Sequence, residues 1–289
     1  MDIEAYRPYL FGIAYRMLGT AMEAEDVLQE AYLRTRDVDA EDIRAPKAYL
    51  AKMVTRMCLD QLKTARAQRE VYPGIWLPEP IPTPDAAPSP IHTEDGDMDS
   101  LSLAFLILLE QLSPAERAVF LLREVFDYDY GEIGAMLDKD EAACRQLFHR
   151  AKTHLREHRP RFSSSPEAQQ KLFTRFMMAV SSGDVQALTN LLAEDAVTWS
   201  DGGGKAAAAV RPIRGAEAIA RFMLGLAKIG RDWGVTYEFQ QVNHQPALIT
   251  RLNGQIINVL MAEMDDEHIY RLLSIANPDK LRLLKIPIE

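Results

Sequence analysis

One segment carries side chains that could read the edges of DNA bases. From Glu141 onward, apolar residues recur at helical spacing and predict an inward stripe of Cys144, Leu147, Phe148, Ala151 and Leu155. The other side carries Arg145, Gln146, His149 and Arg150, followed by Lys152. Arginine and glutamine can pair with purine edges in the major groove, whereas lysine can only position the helix on phosphates. The pattern predicts a DNA-recognition helix, and a solvated basic helix in an all-α bundle is the alternative.

The preceding residues predict the partner that a recognition helix needs. An apolar pattern from Tyr130 to Leu137 indicates a short helix that ends near Asp138, so a tight turn precedes the longer helix. Further upstream, the segment from Ser113 to Glu116 has the spacing of a capping box, which marks another helix start. A short helix, a turn and a longer basic helix together predict a helix-turn-helix.

Basic residues are concentrated in two islands of an acidic protein. The 289-residue chain has a formal charge of -9, yet 44–70 holds seven Lys and Arg against two acids, and 145–161 holds six against one. Two such islands can present polyanion contacts on an otherwise acidic protein, and two solvated helix faces are the alternative. The first island continues a stretch, 2–70, in which apolar residues follow helical spacing almost throughout.

A linker separates the islands. Residues 71–100 contain seven of the sixteen prolines, six acids and no Lys or Arg. Its apolar residues Ile75, Trp76 and Leu77 are not needed in a spacer, so we expect WLPEP to dock on a neighbouring surface, with a locally collapsed turn as the alternative. The expected organisation is a helical domain over 1–70, a linker over 71–100 and a helix-turn-helix domain over 101–160.

Three stretches resemble the extracytoplasmic function sigma factors. EAEDVLQEAYLRT from Glu23 to Thr35 and YLAKMVTRMCLDQLK from Tyr49 to Lys63 are similar to the sigma-2 domain, and the stretch from Leu112 to Leu155 is similar to the sigma-4 domain. The resemblance implies two all-α domains of an alternative sigma factor in the cytoplasm. Its partners would be promoter DNA and the clamp and flap regions of core RNA polymerase.

The resemblance also implies roles for single residues. An acidic helix would dock on the polymerase clamp through Glu25, Asp26, Gln29 and Glu30. A basic helix would read and open the minus-10 element, with candidate contacts to single-stranded DNA at Arg56, Lys63, Arg66 and Arg69. The sigma-4 helix would read the minus-35 element through Arg145, Gln146, His149 and Arg150. Most members have asparagine where this chain has Arg56, and tryptophan where it has Tyr49.

The C-terminal third has a different pattern. Two helices are expected over 166–192 and one from Ala216 to Lys228, with strands at AVTWS, AAAAVRPI, VTYEFQQV, ALITRL, QIINVLMAEM and HIYRLLSIA. Helices followed by a curved antiparallel sheet resemble the SnoaL-like branch of the cone-shaped α+β fold shared with nuclear transport factor 2. We therefore expect a third domain over 166–289.

Three short motifs connect this domain with the linker. Sigma factors that carry a SnoaL-like domain show WLPEP, DGGGK and NPDKL, and this chain has them from Trp76, Asp201 and Asn277 onward. The resemblance implies regulation of the sigma modules in cis through one contact surface. Its candidate residues are Trp76, Leu77, Pro78, Asp201, Gly202, Gly203, Gly204, Lys205, Asn277, Pro278 and Asp279.

Two other functions remain open on the sequence. One is an isomerase or cyclase tethered to a DNA-binding module, with its acid/base residue among Asp201, Glu238 and His244. The other is a one-component repressor whose cone senses an unknown small molecule. We expect no enzymatic activity, cofactor or metal, and buried thiols at both cysteines. We also expect no membrane partner, because no apolar run reaches the ~18 residues that a crossing needs.

Overall fold

The computed structural model describes residues 3–36, 38, 43–83, 101–158 and 165–285. Contacts between residues divide the chain into two compact units. Unit 1 comprises Met1–Val71 with Ala86–Arg159, and unit 2 comprises Tyr72–Asp85 with Pro160–Glu289. Both expected sigma modules therefore lie in unit 1, whereas the first part of the expected linker lies in unit 2. No helix within the described ranges is long and apolar enough to cross a membrane.

The described residues of unit 1 form helices and no strand, as the sequence predicts. Its α-helices are α1 (Arg7–Leu18), α2 (Ala21–Thr35), α3 (Pro46–Glu70), α4 (Leu103–Leu109), α5 (Pro114–Phe120), α6 (Tyr130–Leu137) and α7 (Glu141–His158). Directly after α5, Leu121–Val125 form a π-helical turn. Buried side chains of α1, α2 and α3, among them Leu10, Leu28 and Leu50, form the apolar interior of the first module.

The helix-turn-helix is built by local signals. Ser113 and Glu116 form the expected capping box, with the Glu116 amide donating to Ser113 Oγ at 3.3 Å. Asp138 ends α6 in the left-handed region at φ 53°, and Lys139 N donates to Gly134 O at 3.0 Å. A Cβ on Gly134 would stand 2.5 Å from Lys139 O, so the tight turn requires glycine there. This arrangement sets the start of α7.

In its described residues, unit 2 combines three α-helices with one six-stranded sheet, the cone-shaped α+β fold. The helices are α8 (Pro166–Ser182), α9 (Val185–Leu191) and α10 (Ala216–Trp233), and the strands are β1 (Leu192–Asp201), β2 (Ile213–Arg214), β3 (Thr236–Val242), β4 (Gln245–Leu252), β5 (Gln255–Met264) and β6 (Ile269–Ile275). The strand order is β2-β1-β6-β5-β4-β3. The register shifts in the β1–β6, β4–β5 and β5–β6 pairings, and a β-bulge at such a shift bends its strand. One face packs on the helices through Phe173, Phe176 and Ile219.

Two expectations for the sheet were wrong. The sheet is not wholly antiparallel, because β1 and β6 pair in parallel, with Asp201 opposite Ile275. The run AAAAVRPI is not a strand except at its end, where Ile213 and Arg214 pair with Thr198 and Val197. Alanine has little tendency to form strands, and a tight turn at Gly202, closed by Ala206 N donating to Gly202 O at 3.0 Å, leads the chain out of the sheet.

Candidate nucleic-acid interface and linker site

Helix α7 has the two faces that its sequence predicts. Cys144, Leu147, Ala151 and Leu155 are buried, and Phe148 is half-buried. The opposite side exposes Arg145, Gln146, His149, Arg150 and Lys152. The buried stripe packs α7 on α5, with Phe148 stacked on Phe120 at 6.0 Å between ring centres. The polar row is therefore exposed to solvent, and the packing of the buried stripe on α5 fixes the orientation of the helix.

The cations of α7 are held by exchangeable partners. Arg145 pairs with Glu141, Arg150 with Glu116, and Lys152 with Glu124, each at 3.1 Å. The side chains of the three cations are 49–65% exposed. Exposed pairs of this kind contribute about 0–1 kcal/mol because water screens them. Phosphate groups could replace these carboxylates at little cost.

The acidic face of α2 is mostly exposed. Asp26, Gln29 and Glu30 face solvent, and Glu30 pairs with Arg34 at 2.8 Å. Glu25 is half-buried and pairs with Arg7, so it is less available than its sequence suggests. Two apolar residues missed by the sequence analysis, Met22 and Leu33, are 51% and 57% exposed. Their spacing from Asp26 and Gln29 places all four on one side of the helix, which is a mixed apolar and acidic surface.

Helix α3 carries the first basic island. Lys63 is exposed and pairs with Asp60 at 2.7 Å. Arg56 is engaged by the second module, because its Nε donates to Met136 O at 2.7 Å and its guanidinium pairs with Asp138. Arg66 and Arg69 belong to α3, but their side chains lie outside the described part of the chain. The structure thus gives Arg56 an intramolecular contact that the sequence did not predict.

Further contacts join the two helical modules inside unit 1. Tyr9 OH donates to Tyr128 OH at 2.7 Å, and the Tyr9 ring lies edge-on to Phe126 at 5.4 Å. Burial and the Tyr128 hydroxyl raise the pKa of Tyr9 above its ordinary range. Arg117, which is 3% exposed, donates to Met17 O at 2.6 Å. Composition and periodicity gave no signal for these pairs, since they join residues about 100 positions apart.

In unit 2, Asp201 is the centre of a linker site. It lies at the end of β1, and its side chain is 0% exposed. Its carboxylate accepts hydrogen bonds from Tyr72 OH at 2.6 Å, Leu77 N at 2.9 Å and Lys280 Nζ at 2.7 Å. The linker residues 72–83, which we call the strap, are therefore fastened to the C-terminal domain at this carboxylate.

Lys280 completes the site from the other side. Its ammonium donates to Leu77 O as well as to Asp201, and it lies 4.2 Å from the centre of the Trp76 ring. Asn277 Nδ2 donates to Tyr72 OH at 2.8 Å, and Asn277 N donates to Asp201 O at 2.9 Å. The motifs WLPEP, DGGGK and NPDKL meet here. Sequence reasoning missed Tyr72 and Lys280 as members of this site, although Lys280 stands inside one of the motifs.

The glycines of DGGGK permit close approach. Gly203 has φ 59°, and a Cβ there would stand 2.3 Å from Asn277 Nδ2. Gly204 has φ 70°, and its Cβ would stand 2.8 Å from Pro73 of the strap. A Cβ on Gly202 would stand 2.4 Å from Ala206 O. The motif therefore forms a turn that approaches Asn277 and Pro73 closely, and side chains in place of its glycines would prevent this approach.

Other residues of the motifs occupy the core or the rim of the site. Leu77, Pro78 and Pro80 are buried, with Leu77 at 0% exposure. At the rim, Asp279 pairs with Lys205 and, at 3.0 Å, with Arg282. These cations hold the pKa of Asp279 below its ordinary value, with the Lys205 hydrogen bond as the largest cause. Pro278 is exposed.

The far end of the strap joins the edge of the sheet. Thr83 N donates to Gln241 O at 3.2 Å, and Asn243 N donates to Ile81 O at 3.0 Å. The buried Asn243 side chain forms a second hydrogen bond to the same residue, because its Oδ1 accepts from Ile81 N at 3.0 Å. Because β3 is the last strand of the order and β1 lies near the other edge, the strap extends from one side of the sheet to the other.

The three residues considered for acid/base catalysis stand in separate environments. Asp201 is occupied by the strap and Lys280, as described above. Glu238 is exposed on β3 and pairs with Arg251 at 3.1 Å, and His244 lies in the β3–β4 turn, where its amide donates to Thr83 Oγ1 at 2.8 Å. Both cysteines, Cys58 and Cys144, are free and buried, as expected.

Comparisons with known proteins give the class. Residues 3–68 match the family model for Sigma-70 region 2, and residues 102–155 match that for Sigma-70, region 4. The helices α1 to α3, and the helices α4 to α7 with their helix-turn-helix, thus match the two modules of an RNA polymerase sigma factor.

Relatives along the whole chain give the family. The chain is 34% identical to the ECF RNA polymerase sigma factor SigJ of Mycobacterium tuberculosis (strain ATCC 25618 / H37Rv), over 96% of this chain and 92% of that protein. It is 32% identical to the probable ECF sigma factor SigI of the same strain, over 97% and 94%. The crystal structure of SigJ matches with a TM-score of 0.77, covering 100% of this chain and 99% of that one. The chain belongs to the extracytoplasmic function sigma factors, and it is an alternative sigma factor for transcription initiation.

Proposed function

We propose that α7 reads the minus-35 element through Arg145, Gln146, His149 and Arg150, while Lys152 contacts a phosphate. The observation that carries this proposal is the exposed polar row on a helix whose buried stripe fixes its orientation. Arginine and glutamine offer the paired donors and acceptors that purine edges accept. Arg56, Lys63, Arg66 and Arg69 of α3 would meet the opened minus-10 strand, where a basic face binds the backbone.

Core RNA polymerase is the second partner in this proposal. The exposed side of α2 that would bind the polymerase clamp consists of Met22, Asp26, Gln29, Glu30 and Leu33. Glu25 would contribute to the same surface next to them while paired with Arg7. The sigma-4 module would reach the flap. An apolar surface with a charged rim is the usual composition of a protein interface. This function places the protein in the cytoplasm.

The C-terminal domain would regulate the sigma modules in cis through the strap. With residues 72–83 fastened to the cone, the sigma-2 module is joined to the cone at residue 71, and the sigma-4 module is joined to it by 84–100 and, after α7, by 159–165. If the strap were released, the sigma-2 and sigma-4 modules would be joined to each other by the free linker 71–100, which could span about 100 Å. Trp76, Leu77, Pro78, the DGGGK turn and Asn277 to Asp279 would thus set how far the two modules can separate.

We assign the cone a regulatory and not a catalytic role. Asp201, the acid that stands in DGGGK, has its oxygens occupied by three donors besides the Gly203 amide. A small-molecule ligand of the cone would act by shifting the equilibrium between bound and released strap.

Transcription in vitro with purified core polymerase tests the promoter-reading proposal. Gln146→Ala should lower transcription from the cognate promoter by about 5- to 150-fold, because a bidentate base contact is worth about 1–3 kcal/mol. Gln186→Ala, which removes an exposed amide of unit 2, is the matched control. Equal activity of the two variants would reject the assignment of α7 as the reading helix.

The strap proposal has a separate test. Asp201→Asn keeps the shape of the side chain but removes the charge that holds Lys280, so the strap should become sensitive to protease and transcription should rise. Asp265→Asn is the control, because Asp265 also accepts several bonds, from the Glu267 and His268 amides and Tyr270 OH, at another turn of the same sheet. Unchanged proteolysis and transcription in Asp201→Asn would overturn regulation through the strap.

A further inference from the structure

Arg56 stands at the C-terminal end of helix α6. The last carbonyls of a helix have no partner within it, and they form the negative end of the helix dipole. Arg56 Nε donates to one of them, Met136 O, at 2.7 Å, while the same guanidinium pairs with Asp138 at the cap. The fork of an arginine satisfies both acceptors at once. The contact joins α3 of the first module to the turn that precedes α7.

This contact and promoter binding exclude each other. The minus-10 and minus-35 elements are about 25 base pairs apart, which is roughly 85 Å of duplex at 3.4 Å per base pair. Modules that touch at Arg56 and Met136 cannot occupy both elements. Provided that α3 and α7 bind the promoter as proposed above, unit 1 is therefore in a closed state that must open.

We propose that Arg56 and Asp138 form a latch between the modules, and that promoter DNA opens it by competing for the guanidinium. A DNA phosphate offers Arg56 the same charge and the same paired acceptors as Asp138. The side chains of Arg56 and Asp138 are 40% and 78% exposed, so the phosphate can approach and the carboxylate can be displaced. Arg56 then has two successive partners, the sigma-4 turn before promoter binding and the DNA strand afterwards.

Asp138→Asn tests the latch without touching the proposed DNA contacts. Asparagine tolerates the left-handed backbone of this position, so the turn is kept while the charge is lost. Asp127→Asn is the matched control: Asp127 has φ 55° and pairs at 3.8 Å with Arg123 of its own segment. Tyr128→Phe removes a second contact between the modules, because it eliminates the hydroxyl that accepts from Tyr9 OH and keeps the ring.

The readouts are the distance between modules and transcription. Spin labels at Asp60→Cys and Thr153→Cys report the distance in the full chain, since both native thiols are buried. We expect Asp138→Asn and Tyr128→Phe each to raise the open population about two- to five-fold, the range for loss of one exposed pair or neutral hydrogen bond. Transcription at limiting promoter should rise with it. A distance distribution and transcription level in Asp138→Asn equal to those of Asp127→Asn would overturn the latch.

Arg56→Gln separates the latch from the promoter role. It should open the modules as Asp138→Asn does, but lower transcription, because the DNA contact is lost as well. Opening with a rise in transcription would refute the DNA role of Arg56 and leave the latch standing. No opening would refute the latch whatever the transcription level.

Discussion

Two carboxylate–cation pairs, one in each unit, differ chiefly in burial. Asp201 and Lys280 in unit 2 have side chains 0% and 8% exposed and bind at 2.7 Å amid further hydrogen bonds. Asp138 and Arg56 in unit 1 are 78% and 40% exposed. Removing the partner of a buried charge costs several kcal/mol, because the charge cannot reach water. An exposed charge can bind water or a phosphate in place of its partner. The difference in burial predicts that the Asp201–Lys280 contact is lasting and that the Asp138–Arg56 contact can exchange partners.

The buried pair should give the largest effect. Asp201→Ala leaves the Lys280 ammonium buried with Leu77 O as its described acceptor, which should cost about 3–5 kcal/mol of unfolding free energy. Asp138→Asn should cost less than about 1 kcal/mol in the same assay. Urea unfolding followed by tryptophan fluorescence measures both. Similar losses in the two variants would remove the distinction drawn here.

Close approach at the buried site gives a smaller effect. Gly203→Ala places a Cβ 2.3 Å from Asn277 Nδ2 and also strains a backbone at φ 59°. Gly254→Ala has comparable strain, at φ 78°, with nothing within 4 Å of its Cβ. Both should lose about 1 kcal/mol or more to strain, and Gly203→Ala should lose about 1–3 kcal/mol beyond that. Equal unfolding free energies would show that the strap site tolerates a looser turn.

The rim of the strap site should give the smallest effect. Asp279 has a lowered pKa, so its pairs with Lys205 and Arg282 stabilise the fold fully above the unfolded value of ~3.9. That stability is lost as pH falls through the folded pKa. Because the Asp279 side chain is 34% exposed, the loss should stay under about 1 kcal/mol. Asp279→Asn should flatten the acid limb of a stability curve, and an unaltered limb would contradict the assignment.

The sequence predicted elements well where local signals govern them. The capping box at Ser113, the end of α6 at Asp138 and the start of α7 at Glu141 depend on neighbours in the chain, and all three are as predicted. Strand β5 also matches its predicted run, Gln255–Met264. The run AAAAVRPI failed because strand formation depends on a partner strand, and only its end has one.

The sites divide in the same way. The exposed row on α7 follows from helical spacing, whereas the partners of Arg56 and Asp201 come from distant parts of the chain. Nothing local indicates that Arg56 reaches the turn of another module, or that Tyr72 and Lys280 share one carboxylate. Such pairs form only when packing brings their elements together.

The sequence by itself determined the helices, their caps, the two basic islands and the three motifs, because each depends on residue type and near spacing. The tertiary structure decided how the motifs combine. Because β1 and β6 pair in parallel, both strands finish at the same end of the sheet, so DGGGK and NPDKL follow them side by side and contact the strap. In an antiparallel pair the two strands would finish at opposite ends of the sheet, and the two motifs would lie apart.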